Sequence, residues 1–265
     1  MLGKHSNLLR QARLCASRKG RDKTGLFLTE GVRAVGELIT WAPDSVIALL
    51  VNNLTHGSPG VSRVLSLAAS AGLSYESLDP DLYESIAETE TSQGVIALSR
   101  QVNVPLDALL EKKPQFVVVS DQIQDPGNLG TLIRVADAVG ADAFAASQGS
   151  ADIHNAKVVR AAMGSLFHLC HSKDLDMRDL CSSLADAGYA IVAADASGAV
   201  LHYDVEYRKP LAVVFGNEGA GISPQVLDFA TAVRIPMPGS AESLNVGVAA
   251  GIMLYEILRQ WRGAL

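Results

Sequence analysis

Beyond residue 115 this 265-residue chain alternates short apolar segments with longer helical ones, and no other feature restricts its fold as much. Residues 116–120 (Phe-Val-Val-Val-Ser) and 211–215 (Leu-Ala-Val-Val-Phe) read as strands of the buried kind. Further strands are expected at 143–146, 164–170, 190–194 and 233–235. Helices are expected at 128–139, 155–163 and 177–187, a short one opens at Ser223-Pro224, and a long one closes the chain at 244–261. Such alternation implies an α/β fold with a mostly parallel sheet, and it places ligands at the carboxyl ends of the strands.

The first hundred residues form a second, smaller α/β pattern. A basic helix is expected at 8–18, with helices at 31–40 and 61–71 and another capped by Asp79 and running to 86. Strands fall at 26–29, 45–51, 73–78 and 95–99, and 52–60 is loop. The division expected is therefore 1–102 as one domain, 103–114 as linker and 115–265 as the second domain. The core is aliphatic, since 48% of residues are hydrophobic and only 5% aromatic. No apolar run has the length of a transmembrane helix. Cys15, Cys170 and Cys181 are odd in number and lack a CxxC pair, which argues against a zinc site or a disulfide framework and fits a reducing compartment, the cytoplasm. Residues 1–21 contain no acid, so a mitochondrial transit peptide is the minor alternative.

The net charge of −6 is unevenly spread. Residues 1–33 hold eight Lys/Arg (Lys4, Arg10, Arg13, Arg18, Lys19, Arg21, Lys23 and Arg33) against Asp22 and Glu30, while the remainder holds 14 basic and 26 acidic residues. A basic segment on an acidic body is expected either to meet a polyanion or to be a solvated helix.

Four elements in the second half carry the candidate chemistry: Asn128-Leu-Gly-Thr-Leu-Ile-Arg134, Phe215-Gly-Asn-Glu-Gly-Ala-Gly221, Ile235-Pro-Met-Pro-Gly239 and Ser243-Leu-Asn-Val-Gly-Val-Ala-Ala250. Each lies where a strand gives way to a helix. Glycines there allow close backbone approach to a ligand, and the prolines leave carbonyls unpaired. Singly, each has an ordinary explanation. Asn128 reads as a helix cap with Arg134 a surface charge, Glu218 as a solvated side chain in a glycine turn, and Ser243 or Asn245 as another cap. Neither GxGxxG nor GxxxxGK[ST] occurs, which weakens a dinucleotide or phosphate-loop reading.

Taken in order, Asn-x-Gly-x-x-x-Arg at 128–134, Gly-Asn-Glu-Gly at 216–219 and Ile-Pro-Met…Ser-Leu-Asn-Val between 235 and 246 resemble the three motifs of the SpoU class of RNA ribose methyltransferases, the TrmH-like branch of the SPOUT superfamily. Arg21-Asp-Lys-Thr-Gly-Leu-Phe-Leu-Thr-Glu-Gly31 and Thr91-Ser-Gln-Gly-Val-Ile-Ala97 resemble the substrate-binding domain that precedes the catalytic domain in many members, a domain similar to RNA-binding ribosomal proteins. The resemblance implies a C-terminal trefoil knot, a fold that connection rules alone would reject. It implies S-adenosylmethionine as methyl donor with no metal, and RNA as acceptor, ribosomal RNA in preference to tRNA. It also implies a homodimer with composite sites, for which Val248, Ile252, Leu254, Tyr255 and Leu258 offer a face.

The same resemblance distributes the roles. Arg134 is the catalytic arginine, with Asn128, Glu218, Ser243 and Asn245 orienting arginine, ribose and cofactor. Gly216, Asn217, Gly219, Ile235, Met237 and Leu244 hold the cofactor. Arg10, Arg13, Arg18, Lys19, Arg21, Lys23 and Arg160 are the expected RNA contacts. Two positions depart from the pattern, Gly247 and Ala162, where relatives often carry Ser or, at the first, Ala. The competing expectation is a non-catalytic RNA-binding or assembly factor on the same scaffold.

Overall fold

The computed structural model describes residues 6–89 and 91–263; Lys4 of the basic segment lies outside them. The chain divides into two compact units, one of residues 1–102 with 154–168, the other of 103–153 with 169–265. The segment 154–168, expected within the second domain, thus clusters with the first.

The first unit begins with α1 (Asn7–Leu14) and α2 (Arg18–Thr24); the helix expected over 8–18 stops at Leu14, and a second begins at Arg18. Two serine caps explain the break: the Ser6 Oγ accepts from Leu9 N–H at 3.2 Å and the Ser17 Oγ from Gly20 N–H at 3.1 Å. The corner is so tight that a Cβ on Gly20 would lie 1.9 Å from the Leu14 carbonyl oxygen. Then follow β1 (Leu26–Glu30), α3 (Val32–Trp41), β2 (Val46–Asn52), α4 (Pro59–Ser70), β3 (Tyr75–Leu78), α5 (Pro80–Glu84) and β4 (Val95–Arg100). The sheet order is β1-β4-β2-β3, antiparallel except for β2 with β3. Asp79 stands at the head of α5 but does not cap it; its carboxylate accepts from Asn53 Nδ2 at 3.1 Å instead. The two N-terminal motifs meet at one end of this sheet. The Gln93 side-chain oxygen accepts from Val32 N–H at 2.8 Å, while Glu30 accepts from Glu88 N–H at 2.9 Å and from the Thr89 hydroxyl at 2.5 Å.

The second unit opens with α6 (Leu106–Glu111), inside the segment expected as linker; its Leu109 is buried in the core. Next come β5 (Phe116–Ser120), α7 (Pro126–Ala138), β6 (Ala143–Ser147), α8 (Ala156–Ala162, part of the first unit), β7 (Cys170–Leu175), α9 (Met177–Asp186), β8 (Ala190–Ala194), β9 (Val200–Leu201), β10 (Leu211–Phe215), α10 (Pro224–Leu227), β11 (Thr231–Arg234) and α11 (Val246–Gly263). The expected strand at 164–170 is displaced. Met163 and Gly164 take left-handed φ values of 54° and 102°, a 3-10 turn follows, and β7 starts only at Cys170. The seven strands run β7-β6-β5-β10-β8-β11-β9, with every neighbouring pair parallel. Every residue of β5 and β10, adjacent at the centre, is buried, which is why their sequences read as unbroken apolar runs. Among the described residues no helix is long and apolar enough to cross a membrane.

Gly94 shows how closely the first sheet's end is packed: its φ is +84°, and an added Cβ would meet Thr55 Oγ1 at 1.8 Å. Gly94→Ala is expected to lower unfolding free energy by roughly 1–3 kcal/mol, since it combines an unfavourable φ with a clash. Urea melts of both proteins test this, the midpoint falling while the slope stays unchanged.

Candidate active site

The carboxyl ends of β8, β10 and β11 open onto a cleft of about 780 Å³, within the range of small-molecule sites. One wall is the loop after β10. It closes on itself through Asn217 N–H to the Gly221 carbonyl (2.9 Å) and Gly221 N–H back to the Asn217 carbonyl (3.0 Å). That closure leaves no space at Gly216, where a Cβ would lie 2.4 Å from the Gly221 oxygen, and it requires a φ of +72° at Gly221. The Asn217 side chain fixes the turn. Its oxygen accepts from Gly219 and Ala220 N–H, both at 2.9 Å, and its amide donates to the Gln122 carbonyl at 2.8 Å. The loops after β5 and β10 are thereby tied together.

A second tie runs deeper into the chemistry. Asn245 caps α11, its oxygen accepting from Gly247 N–H at 2.9 Å. With that oxygen committed, its Nδ2 donates to Asn128 Oδ1 at 2.8 Å, and Asn128 Nδ2 then donates to Glu218 Oε1 at 2.9 Å. Glu218 also accepts from Gln124 and Asp125 N–H, each at 3.3 Å. Both amides thus have one orientation that satisfies every partner. Burial pushes the Glu218 carboxyl up, but the hydrogen bonds from Asn128 and from backbone N–H groups, including those of Gln124 and Asp125, outweigh it and the net shift is downward. The carboxylate therefore stays anionic at neutral pH.

Ten of the eleven residues expected to be catalytic or cofactor-binding line this cleft: Asn128, Gly216, Asn217, Glu218, Gly219, Ile235, Met237, Ser243, Leu244 and Asn245. Arg134 does not. It is exposed on α7 and has no hydrogen-bond or ion-pair partner among the described residues. Asn128 is not the cap of α7. Asp125 is, its carboxylate accepting from Asn128 N–H at 2.8 Å, which frees the Asn128 side chain for the tie to Glu218. Gly247 permits the close contact of α11 with α7, because a Cβ there would meet Thr131 Cγ2 at 2.7 Å.

The sequence reading missed two acids here. Asp121, almost fully buried, accepts from Ser223 N–H at 2.7 Å and so anchors the far end of the β10 loop. Asp195, in the cleft wall, holds the Ser197 amide and hydroxyl at 2.7 Å each. Asp195 directly follows β8, and attention to every strand's carboxyl end would have found it.

Of the basic residues expected to meet RNA, Arg10, Arg13, Arg18, Lys19, Lys23 and Arg160 are exposed. Arg21 is a correction. It is only 3% exposed, and its Nη1 donates to the Cys15 carbonyl at 2.7 Å, so its guanidinium stabilises the turn between α1 and α2 and presents no surface to a polyanion. Burial also pushes the Cys15 and Cys181 thiols up to about 11, which keeps both protonated and poorly nucleophilic at neutral pH.

The profile of the SpoU rRNA Methylase family matches residues 115–255, and that of the MRM3-like substrate binding domain matches residues 7–97. The chain is 32% identical over 242 residues to the 23S rRNA (guanosine(2553)-2'-O)-methyltransferase RlmP of Bacillus subtilis, an alignment covering 91% of this chain and 92% of that one. Among solved structures, the SpoU methyltransferase AviRb of Streptomyces viridochromogenes in complex with AdoMet superposes with a TM-score of 0.84, at 30% identity over 97% of this chain and 99% of that one. The AdoMet-bound rRNA methyltransferase of Sinorhizobium meliloti gives a TM-score of 0.83 at 29% identity, covering 98% and 97%.

The downward shift at Glu218 fixes a pH dependence. A depressed carboxyl contributes stability that is present above its ordinary value of 4.5 and lost as pH falls through its lower folded value. The stability gap between the native chain and Glu218→Gln is expected to be flat from pH 8 to about 5 and to shrink below that. Denaturant melts across this range measure it.

Proposed function

The chain belongs to the SpoU rRNA methylase family, and from that premise we propose that it transfers a methyl group from S-adenosylmethionine to a ribose 2′-hydroxyl of ribosomal RNA. The observation that carries this reading is the convergence of three motif loops on one cleft, joined by the Asn245–Asn128–Glu218 chain. The cleft fits the donor: Gly216 lets the backbone come close, and the backbone around Ile235, Met237 and Leu244 offers apolar contact with free carbonyls for an adenosyl group. Bound there, the donor supplies a methyl group on a sulfonium, an electrophile already activated.

The protein's share of the work is positioning and electrostatics. Asn128 and Asn245 are held in single orientations, and Glu218 keeps its charge at the rim. Ser243 beside them offers a hydroxyl to the ribose or the donor. The Arg134 guanidinium is a fixed cation with five donors, suited to gripping an RNA phosphate and to stabilising the developing 2′-alkoxide. As the new O–CH3 bond forms and the S–CH3 bond breaks, the hydroxyl proton leaves to phosphate or water.

A homodimer completes this reading. On α11, Val248, Ile252 and Tyr255 form an exposed apolar row, whereas Leu254 is fully buried and Leu258 half-buried, so only the first three belong to the proposed face. Helix α11 packs on α7, which carries Arg134 outside its own cleft; pairing two copies across this region offers a way to bring Arg134 to the partner's donor. The trefoil knot belongs to the same reading. Supporting it is the late insertion of β10 between β5 and β8 and of β11 between β8 and β9. The domain roles follow likewise: the first unit binds RNA, the second transfers the methyl group.

Arg134→Ala is expected to lower the single-turnover methylation rate on ribosomal RNA by about 100-fold or more, while donor affinity stays unchanged. Radiolabel transfer and calorimetry measure the two quantities; an undiminished rate would sink the mechanism. Tyr255→Glu is expected to convert the dimer to a monomer in sedimentation and to reduce methylation with it. Retention of a full-rate dimer would exclude this face.

A further inference from the structure

We propose that Trp41 and His168 form a stacking platform for an unpaired nucleobase of the RNA substrate, which rests on the reading that RNA is that substrate. Trp41 ends α3 and is 60% exposed, far more than a ring of that size needs to be. The chain's other tryptophan, Trp261, is half-buried and donates its Nε1–H to the Tyr207 carbonyl at 2.9 Å. Trp41 makes no such structural use of its ring, yet the ring is held in place. It lies 4.8 Å from the His168 ring at an interplanar angle of 51°. His168 Nε2 is in turn 3.2 Å from Glu37 Oε2, one turn before Trp41 on the same helix. Gly164, at a φ of +102°, brings the segment leading to His168 against Glu37 so closely that a Cβ would lie 2.5 Å from Glu37 Cγ.

The surroundings select a nucleic acid over another copy of the chain. Exposed Arg33 precedes Trp41 by two turns on α3, and Arg100 donates at 3.2 Å to the carbonyl of Asp44, three residues beyond Trp41 in the chain. The unit to which all these residues belong carries 12 Lys/Arg against 10 Asp/Glu, a balance of +2, while the other unit carries 10 against 18, a balance of −8. A single exposed ring on the more basic of the two units matches one base of a polyanion. It differs from the continuous apolar row on α11 that suits a second copy. Unstacked bases are the part of RNA that an aromatic face can read, and each stack is worth about 1–3 kcal/mol.

The experiment uses the full-length Trp261→Phe chain, in which Trp41 is the sole indole. A short single-stranded oligoribonucleotide is expected to quench its fluorescence, and a duplex of equal length is not. Trp41→Ala is expected to weaken single-strand binding about tenfold, Trp41→Phe to restore most of it, and the salt slope to stay as in the native chain because phosphate contacts are untouched. With ribosomal RNA varied from below to above KM, Trp41→Ala should raise KM for the RNA and leave kcat alone. Native affinity and KM in Trp41→Ala overturn the platform while leaving the methyltransferase reading intact. Self-association abolished by Trp41→Ala in the absence of RNA assigns the ring to a second copy instead. Failure of the native chain to bind RNA at all overturns both proposals.

Discussion

The site depends on a hydrogen-bond chain that can run in only one direction. The N-terminus of α11 presents backbone donors, and Asn245 must turn its oxygen toward them. That leaves only a donor for Asn128, and Asn128 in turn has only a donor left for Glu218. The carboxylate ends the series and is kept anionic by it. No isolated asparagine has this property. Its polarity is imposed by a helix terminus at one end and a negative charge at the other, so each amide is both oriented and polarised.

Everything else near the cleft keeps those three side chains within reach. Asn217 ties the β10 loop to the β5 loop, and Asp121 anchors its far end through Ser223. Asp125 takes over the capping of α7 and so releases Asn128. Gly216 and Gly247 permit contacts that no side chain would, one within a loop and one between α7 and α11. The central strands β5 and β10, buried on both faces, fix the height at which these loops emerge.

Much of this was legible in the residues. Phe116–Ser120 and Leu211–Phe215 form the strands their apolar runs predict, because burial on both faces leaves an unambiguous pattern. The motif loops fall at strand ends as their glycines and prolines imply. What stayed hidden was set by tertiary contact. The left-handed turn at Met163 and Gly164 displaced a strand, and nothing in the local sequence marks Met163 for that conformation. Arg21 reads as one more surface cation, yet its partner is a carbonyl six residues away across a corner that only the fold creates. Val200–Leu201 is too short a strand for any periodicity to show. Asn128 read as a helix cap because cap and side-chain tie use the same residue type.

Asn245 is at once the cap of α11 and the origin of the chain that reaches Glu218. A perturbation at either end is therefore felt at the other. Anything that orders the rim of the cleft also firms the first turn of the helix that bears Val248, Ile252 and Tyr255, and anything that seats those side chains preorganises the rim. Thermodynamic linkage makes that influence equal in both directions: where the proposed pairing face and the cleft share this turn, ligand binding and the proposed pairing shift each other by one and the same coupling free energy.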